Sequence, residues 1–157
     1  MGGNGSSYHY LNYSLDIYSG DRFETVGMIG NNKVVASSVS VNTSIPMNSF
    51  TSKMYYVTSP GDPTRIVAIA FYNGRTKKIV KSIDLVYDKA GNLVPFKQIK
   101  RKGKTHTIGT HTHKWPGNKE KGKVGRKSND KNNHFEPTKS DMRYIKKALK
   151  YNQEHKK

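Results

Sequence analysis

Three histidines, His106, His111 and His113, lie within eight residues of one another. Histidine is the side chain whose ordinary pKa lets it accept or release a proton near neutral pH. A neutral imidazole is also a common ligand of zinc. The stretch therefore suggests two kinds of chemistry, which are proton transfer between histidines and the binding of a metal ion.

Proton transfer needs at least two of these rings in one site. Residues two apart on a strand face the same way, so His111 and His113 project together. His106 joins them only if the chain bends, and Gly109 can supply that bend. In metal-independent cleavage of RNA, one histidine accepts the 2′-hydroxyl proton and another protonates the 5′-oxygen leaving group. Asp84 is the acidic residue of the predicted strands that can face this cluster.

A metal site is the alternative that the same residues leave open. His111 and His113, with either His106 or His134, can supply nitrogen ligands for zinc or another divalent metal. The order His113, Asn133, His134 is also similar to that of the ββα-metal nucleases, which have an acidic residue where Thr112 stands. A third alternative is that the histidines are ordinary surface residues of a protein without catalysis.

Positive charge is concentrated in the part of the chain that holds the histidines. Residues 97–157 carry 19 Lys and Arg against 5 Asp and Glu, within a net charge of +17 for the chain. Such a surface attracts phosphates without selecting a sequence. The residues that we expect to bind phosphate or nucleic acid here are Lys104, Lys114, Trp115 and Arg126. Trp115 either stacks on a base or packs the terminal helix.

The composition also excludes several classes of protein. The chain has no cysteine, so disulfides and thiolate metal ligands are excluded. No apolar run approaches the length of a membrane span, so we expect no membrane partner. We expect a cytoplasmic protein, or one that is delivered into a target or host cell.

The elements that must position the histidines are mostly strands. Alternating or β-rich runs predict strands at 24–30, 33–41, 53–59, 65–72, 77–87, 93–99 and 105–114. Asn73-Gly74 is a strong hairpin signal between two of them. The predicted fold class is therefore α+β, a twisted antiparallel sheet with a C-terminal helix packed on it.

The chain length predicts one domain, residues 23–157, after a flexible leader of residues 1–22. Within the domain, residues 117–136 are rich in Gly, Lys and Asn and predict a mobile basic loop. The terminal helix is predicted over 138–153, because Thr138 and Asp141 have the spacing of a capping box. Its apolar stripe consists of Met142, Ile145, Ala148 and Leu149.

These residues are similar to a known group of proteins. The stretches 65–75 and 82–85, followed by His106 and by 111–115, resemble a module of bacterial polymorphic toxins and phage head-associated proteins. The opening Met-Gly-Gly-Asn-Gly is similar to that of small stand-alone proteins of mobile elements. Such modules are grouped with the barnase–EndoU–colicin E5–RelE-like ribonuclease superfamily, whose fold is a helix on a twisted antiparallel sheet. The resemblance implies Asp84, His106, His111 and His113 as site residues, with Arg65 or Arg75 binding phosphate.

The resulting hypothesis is a metal-independent endoribonuclease that acts as a toxin or as an effector of a phage or mobile element. It needs no cofactor, and its partners are RNA or another nucleic acid and an immunity protein or host defence protein. One alternative is a noncatalytic phage or mobile-element protein that binds nucleic acid or a nucleotide signal. The other is a metal-dependent nuclease built on the histidines.

Overall fold

The computed structural model describes residues 23–37, 45–46, 49, 52–59, 61–115 and 133–156. The predicted leader and most of the predicted basic loop, including Arg126, lie outside the described residues. The elements are β1 (Phe23–Ile29), β2 (Asn32–Ser37), β3 (Met54–Ser59), β4 (Asp62–Tyr72), β5 (Ile79–Asp84), β6 (Lys97–Arg101), β7 (Lys104–Ile108), β8 (His111–Lys114) and α1 (Lys139–Glu154).

The predicted α+β fold class is confirmed. Six strands form one sheet in the order β1-β2-β3-β4-β5-β8, and β6 and β7 form a second sheet of two strands. All strand pairs in the main sheet are antiparallel except β2 and β3, which run parallel. The main sheet is therefore mixed, where the sequence predicted a wholly antiparallel one.

Two apolar clusters cover the main sheet. The first includes Ile69 and Ile83 of the sheet with Ile145 and Ala148 of α1. The second includes Tyr55, Ala70 and Tyr72, with Trp115 packed against it. Ala70 and Ile69 are neighbours on β4 and therefore point to opposite faces. The helix covers one face of the sheet, and the second cluster covers the other.

The start of α1 is held by the predicted capping box and by an ion pair to the sheet. The Asp141 backbone N–H donates to Thr138 Oγ1 at 3.1 Å, and the Thr138 N–H donates to Asp141 Oδ2 at 2.8 Å. Asp141 Oδ1 also accepts from Lys81 Nζ at 2.6 Å. Ile145 and Ala148 of the predicted stripe are buried, whereas Met142 is 36% exposed and Tyr151 packs in the core instead.

The predicted strand 105–114 is in fact two strands, and this is the correction that matters most for the site. Gly109 has a φ of +82° and ends β7, so β8 begins in a different sheet. A Cβ at this position would lie 1.9 Å from the Pro95 carbonyl oxygen. Glycine is required here because only a residue without a Cβ adopts this conformation at such a close approach.

The other boundaries differ by a few residues from those predicted. Strand β4 begins at Asp62, and β5 ends at Asp84, short of the predicted 87. The predicted strand 93–99 is observed as β6, with Leu93 in a single bridge to Tyr87. Among the described residues no helix is long and apolar enough to span a bilayer.

Candidate functional site

The pairing of β5 with β8 places three of the predicted site residues on one face of the sheet. Asp84 lies directly opposite His111, and Ser82 lies opposite His113. Cross-strand partners share a face, and so do residues two apart on one strand. Ala70 is in turn paired with Ser82, so this is the face of the second cluster, away from α1.

A short segment before α1 adds a third histidine to this face. Phe135 pairs with Thr112 through two backbone hydrogen bonds of 2.8 and 3.0 Å, which extends the sheet beyond β8. His134 precedes Phe135 and therefore points to the other face, where His111 and His113 lie. The His134 ring centroid is 5.0 Å from that of His111 and 4.8 Å from that of His113.

Asn133 holds this segment in place. Its side chain accepts from the Lys114 N–H at 2.7 Å and donates to the Lys114 carbonyl at 3.1 Å. The side-chain amide thus bonds to both backbone groups of Lys114, as a paired strand residue would. It fixes the segment that carries His134 at the last residue of that strand.

Backbone carbonyls orient two of the rings. His111 Nδ1 lies 2.8 Å from the Gly109 carbonyl oxygen, and His113 Nδ1 lies 2.6 Å from that of Asn133. A carbonyl oxygen only accepts, so both Nδ1 atoms carry the proton and donate it. In its neutral form each ring then has its lone pair at Nε2.

These Nε2 atoms converge with a carboxylate. His111 Nε2 and His113 Nε2 are 3.1 Å apart. Asp84 Oδ2 lies 3.2 Å from the first and 3.0 Å from the second. The possible ligand atoms of His111, His113 and His134 all lie within 4.8 Å of one another. His111 and His113 of β8 therefore lie close both to Asp84 of β5 and to His134 of the segment before α1.

The electrostatics of Asp84 follow from this arrangement. Burial by itself raises the pKa of its carboxyl, because it disfavours the charged form. The hydrogen bonds with His111 and His113 and the charge on these rings act in the opposite direction. The net result is a pKa well below the usual range, so Asp84 is an anion throughout the physiological pH range.

Within the part of the chain that the structure describes, the site is open on one side. The His113 side chain is 3% exposed and the His111 side chain 16%, whereas Asp84 is 38% exposed. A small ligand can therefore approach from the Asp84 side, while the histidines are held by their surroundings.

The structure separates the remaining predicted site residues from this group. His106 lies on β7, in the second sheet, with an exposed side chain, and the ring contacts among described residues join His111, His113 and His134 instead. Lys104 is exposed at the tip of that sheet. Arg65 lies over the Tyr87 ring, and Arg75 is in the exposed turn between β4 and β5. Arg126 lies outside the described residues.

Lys114 and Trp115 follow His113 but lie in different surroundings. Lys114 is on the opposite face of β8, with its Nζ 4.6 Å from the centroid of the Phe135 ring. The Trp115 Nε1–H donates to Ser82 Oγ at 2.9 Å, and the ring packs against the second cluster. Trp115 therefore packs on the face of the sheet away from α1, so the interpretation that it packs the terminal helix is wrong.

Sequence reasoning missed the part that Asn133 takes in the site. His134 was considered only as one possible metal ligand, and Asn133 only for its place in the order of residues. No strand pattern marks residues 133–135, because a single bridge and one side-chain amide form this pairing. The only signal in the sequence for this segment was that His134 lies four residues before Thr138, where the predicted helix begins.

Comparison of the chain with protein-family models, with curated proteins and with solved structures gives no match. The chemistry of the site is therefore inferred from its own geometry.

Proposed function

We propose that this protein is a divalent-metal-dependent nuclease whose metal is held by His111, His113, His134 and Asp84. The single observation that supports the proposal best is the 3.0–3.2 Å triangle of His111 Nε2, His113 Nε2 and Asp84 Oδ2. Metal–ligand bonds of about 2.0–2.1 Å place tetrahedral ligand atoms about 3.3 Å apart. The triangle has nearly the dimensions of one face of such a coordination shell.

The fixed tautomers favour a cation over an empty site. With both Nδ1 atoms donating to carbonyls, two neutral rings present two lone pairs and a carboxylate to one point. Three acceptors at this separation repel one another unless a proton on one ring or a metal ion lies between them, and of these two only a metal ion binds all three lone pairs at once. Hydrogen bonds from the second ring nitrogen to a backbone carbonyl are also the usual support of histidine ligands.

The same triangle argues against His111 and His113 as an acid–base pair on RNA. In a phosphoryl transfer the attacking and leaving oxygens lie roughly in line on opposite sides of phosphorus. A base and an acid must each be within about 2.6–3.2 Å of their own oxygen. Nitrogens only 3.1 Å apart lie together on one side of the phosphorus.

The surroundings favour a phosphodiester as substrate. Residues 89–115, which include β6, β7 and β8, contain no Asp or Glu and seven Lys or Arg. Cations of this density attract phosphate groups. A bound divalent metal lowers the pKa of a coordinated water and polarises a phosphoryl oxygen, so hydrolysis does not require the 2′-hydroxyl. Both DNA and RNA are therefore possible substrates.

The test is cleavage of labelled DNA and RNA before and after chelation. We expect cleavage to stop in excess EDTA and to return with added Zn²⁺ or Mn²⁺. His113→Ala and His134→Ala should each lose more than about 100-fold, since losing only a hydrogen-bond partner of a metal ligand costs about 10–100-fold. His155→Ala, at the C-terminal end of α1, is the matched control, and its activity should change little.

Two results would decide against the proposal. Cleavage of RNA alone in EDTA, with a 2′,3′-cyclic phosphate product and dependence on His106, would support the acid–base ribonuclease instead. Stoichiometric metal binding with no cleavage of any nucleic acid would assign the metal a structural function.

A further inference from the structure

The β6–β7 sheet is a hairpin that stands away from the main sheet. Both of its faces are open to solvent, with only Ile99 and Thr107 half-buried within its two strands. A two-stranded ribbon is only marginally stable in water by itself. A ribbon exposed on both faces therefore has room for a partner on either side.

The hairpin carries a dense positive charge without compensation. Its cationic residues are Lys97, Lys100, Arg101, Lys102 and Lys104, and it contains no acidic residue. Most of them lie at the tip, where Lys102 and Gly103 both have positive φ, at 55° and 77°. Two successive residues of this kind form the tight turn that matches the twist of a hairpin. The tip is therefore a compact cluster of cations on a regular ribbon.

The strand register divides the side chains between the two faces. Lys97, Arg101, Lys104 and His106 share one face with Ile99 and Ile108. Gln98, Lys100, Thr105 and Thr107 share the other, where Gln98 Nε2 lies 3.5 Å from Thr107 Oγ1. One face thus offers three cations, and the other offers Lys100 together with amide and hydroxyl groups that hydrogen-bond to base edges.

We propose that the β6–β7 hairpin is an arm that enters the major groove of duplex DNA. Strands about 4.8 Å apart make a ribbon that fits a groove about 12 Å wide. The major groove of A-form RNA is too narrow for side chains to read. A flat anionic membrane would contact a single face, whereas a groove has phosphates on both walls and bases at its floor. The charges on both faces and at the tip therefore favour the groove.

The base of the arm is joined directly to the metal site. Gly109 follows β7, and its carbonyl oxygen accepts the Nδ1 proton of His111. The Thr110 N–H donates to the Val94 carbonyl at 2.8 Å, which anchors the base of the arm on the body. A duplex held by the arm therefore lies next to the metal ligands. The proposal names the substrate of the nuclease proposed above and rests on that function, but binding is measured without cleavage.

The test compares two variants with the same loss of charge. The arm variant carries Lys100→Gln, Arg101→Gln and Lys104→Gln. The helix variant carries Lys146→Gln, Lys147→Gln and Lys150→Gln, all exposed on α1. Fluorescence anisotropy in EDTA measures their binding to a DNA duplex, an RNA duplex and a single strand over a range of salt.

For the arm variant we expect DNA-duplex binding to weaken by about 10-fold or more at physiological salt. Its log–log salt slope should fall by about 2–3, because each lost phosphate contact removes about 0.9. The helix variant should change affinity by less than about 3-fold. A DNA duplex should bind more tightly than the RNA duplex or the single strand.

Other results overturn the arm. Equal losses of DNA affinity in the two variants would show general charge attraction. Tighter binding of the RNA duplex or the single strand would contradict binding in the major groove of DNA. Binding to anionic phosphatidylserine vesicles but not to DNA would make the hairpin a membrane contact. If DNA binding depends on the arm but the wild type cleaves no nucleic acid with any metal, the arm is supported and the proposed nuclease is rejected. Metal-dependent cleavage by an arm variant that binds DNA as tightly as the wild type would support the nuclease and reject the arm.

Discussion

Hydrogen bonds to fixed backbone atoms decide the chemistry of individual side chains in this protein. A neutral histidine ring can carry its proton on either nitrogen. In His111 and His113 a backbone carbonyl oxygen accepts from Nδ1 and so fixes the proton there. Once it does, the remaining nitrogen is committed to the centre of the site. In the proposed metal site, this arrangement orients two ligands before an ion binds, which reduces the cost of ordering them on binding.

Two buried tyrosines give a matched prediction at this scale. The Tyr72 hydroxyl donates to the Pro46 carbonyl at 2.7 Å, whereas the Tyr56 hydroxyl has no hydrogen-bond partner among the described residues. Tyr72→Phe should lower the free energy of unfolding by about 1–2 kcal/mol, because it leaves a buried acceptor unpaired. Tyr56→Phe should leave it equal or raise it by up to about 1 kcal/mol. Urea unfolding of both variants at neutral pH measures the difference.

The same tyrosine affects stability in alkali. Burial, assisted by the nearby Tyr144, raises the pKa of Tyr56 to about 12. The unfolded chain loses this proton near pH 10, so the contribution is complete below that pH and is lost as the pH rises to about 12. Tyr56→Phe should therefore lose less stability than the wild type across this interval. An equal loss in both proteins would show that other groups govern alkaline unfolding.

The sequence was sufficient to predict part of the site, and the reason is local. Alternation along a strand gives His111 and His113 a common face in any register, and Asp84 lies within the predicted strand 77–87. His106 joins them in this prediction only through a bend at Gly109, and the structure has a bend there. The pattern does not show that Gly109 approaches the Pro95 carbonyl and sends the chain into another sheet.

At the scale of elements, Gly109 is the junction of the arm and the site. Gly109→Ala should lower the free energy of unfolding by about 2–3 kcal/mol, because both the positive φ and the contact with Pro95 oppose a Cβ. It should also weaken metal binding, because the same residue holds His111. Chemical denaturation and metal titration measure the two effects.

Gly103 provides the control for this prediction. Its φ is +77°, close to the +82° of Gly109, but no atom of the described residues lies within 4 Å of an added Cβ. Gly103→Ala should cost only the backbone strain, about 1–2 kcal/mol, and leave metal binding unchanged. Equal effects of the two substitutions would show that the Pro95 contact does not matter.

Whole-strand properties were predictable, and single bridges were not. The β-rich runs and the capping box were enough for the α+β class and for the helix. The pairing of Phe135 with Thr112 follows a lysine-rich stretch with no apolar period, so it left no pattern to recognise. The parallel contact of β2 with β3 was equally hidden, because alternation is the same in either direction.

At the scale of the molecule, the two faces of the sheet have separate tasks. The helix covers one face and completes the main core. The other face carries the second cluster and, at its edge, the histidine site next to the base of the basic hairpin. The helix contact and the histidine site therefore depend on different residues, so site variants can be made without disturbing the helix contact.

The measurement that tests the central claim most directly is a calorimetric titration of Zn²⁺ into metal-free protein without an affinity tag. We expect one ion per chain in the wild type and in His106→Ala. In His113→Ala and His134→Ala the affinity should fall by more than about 100-fold, while circular dichroism shows the fold unchanged. Absence of stoichiometric binding by the wild type, or unchanged affinity in both variants, would contradict the metal site.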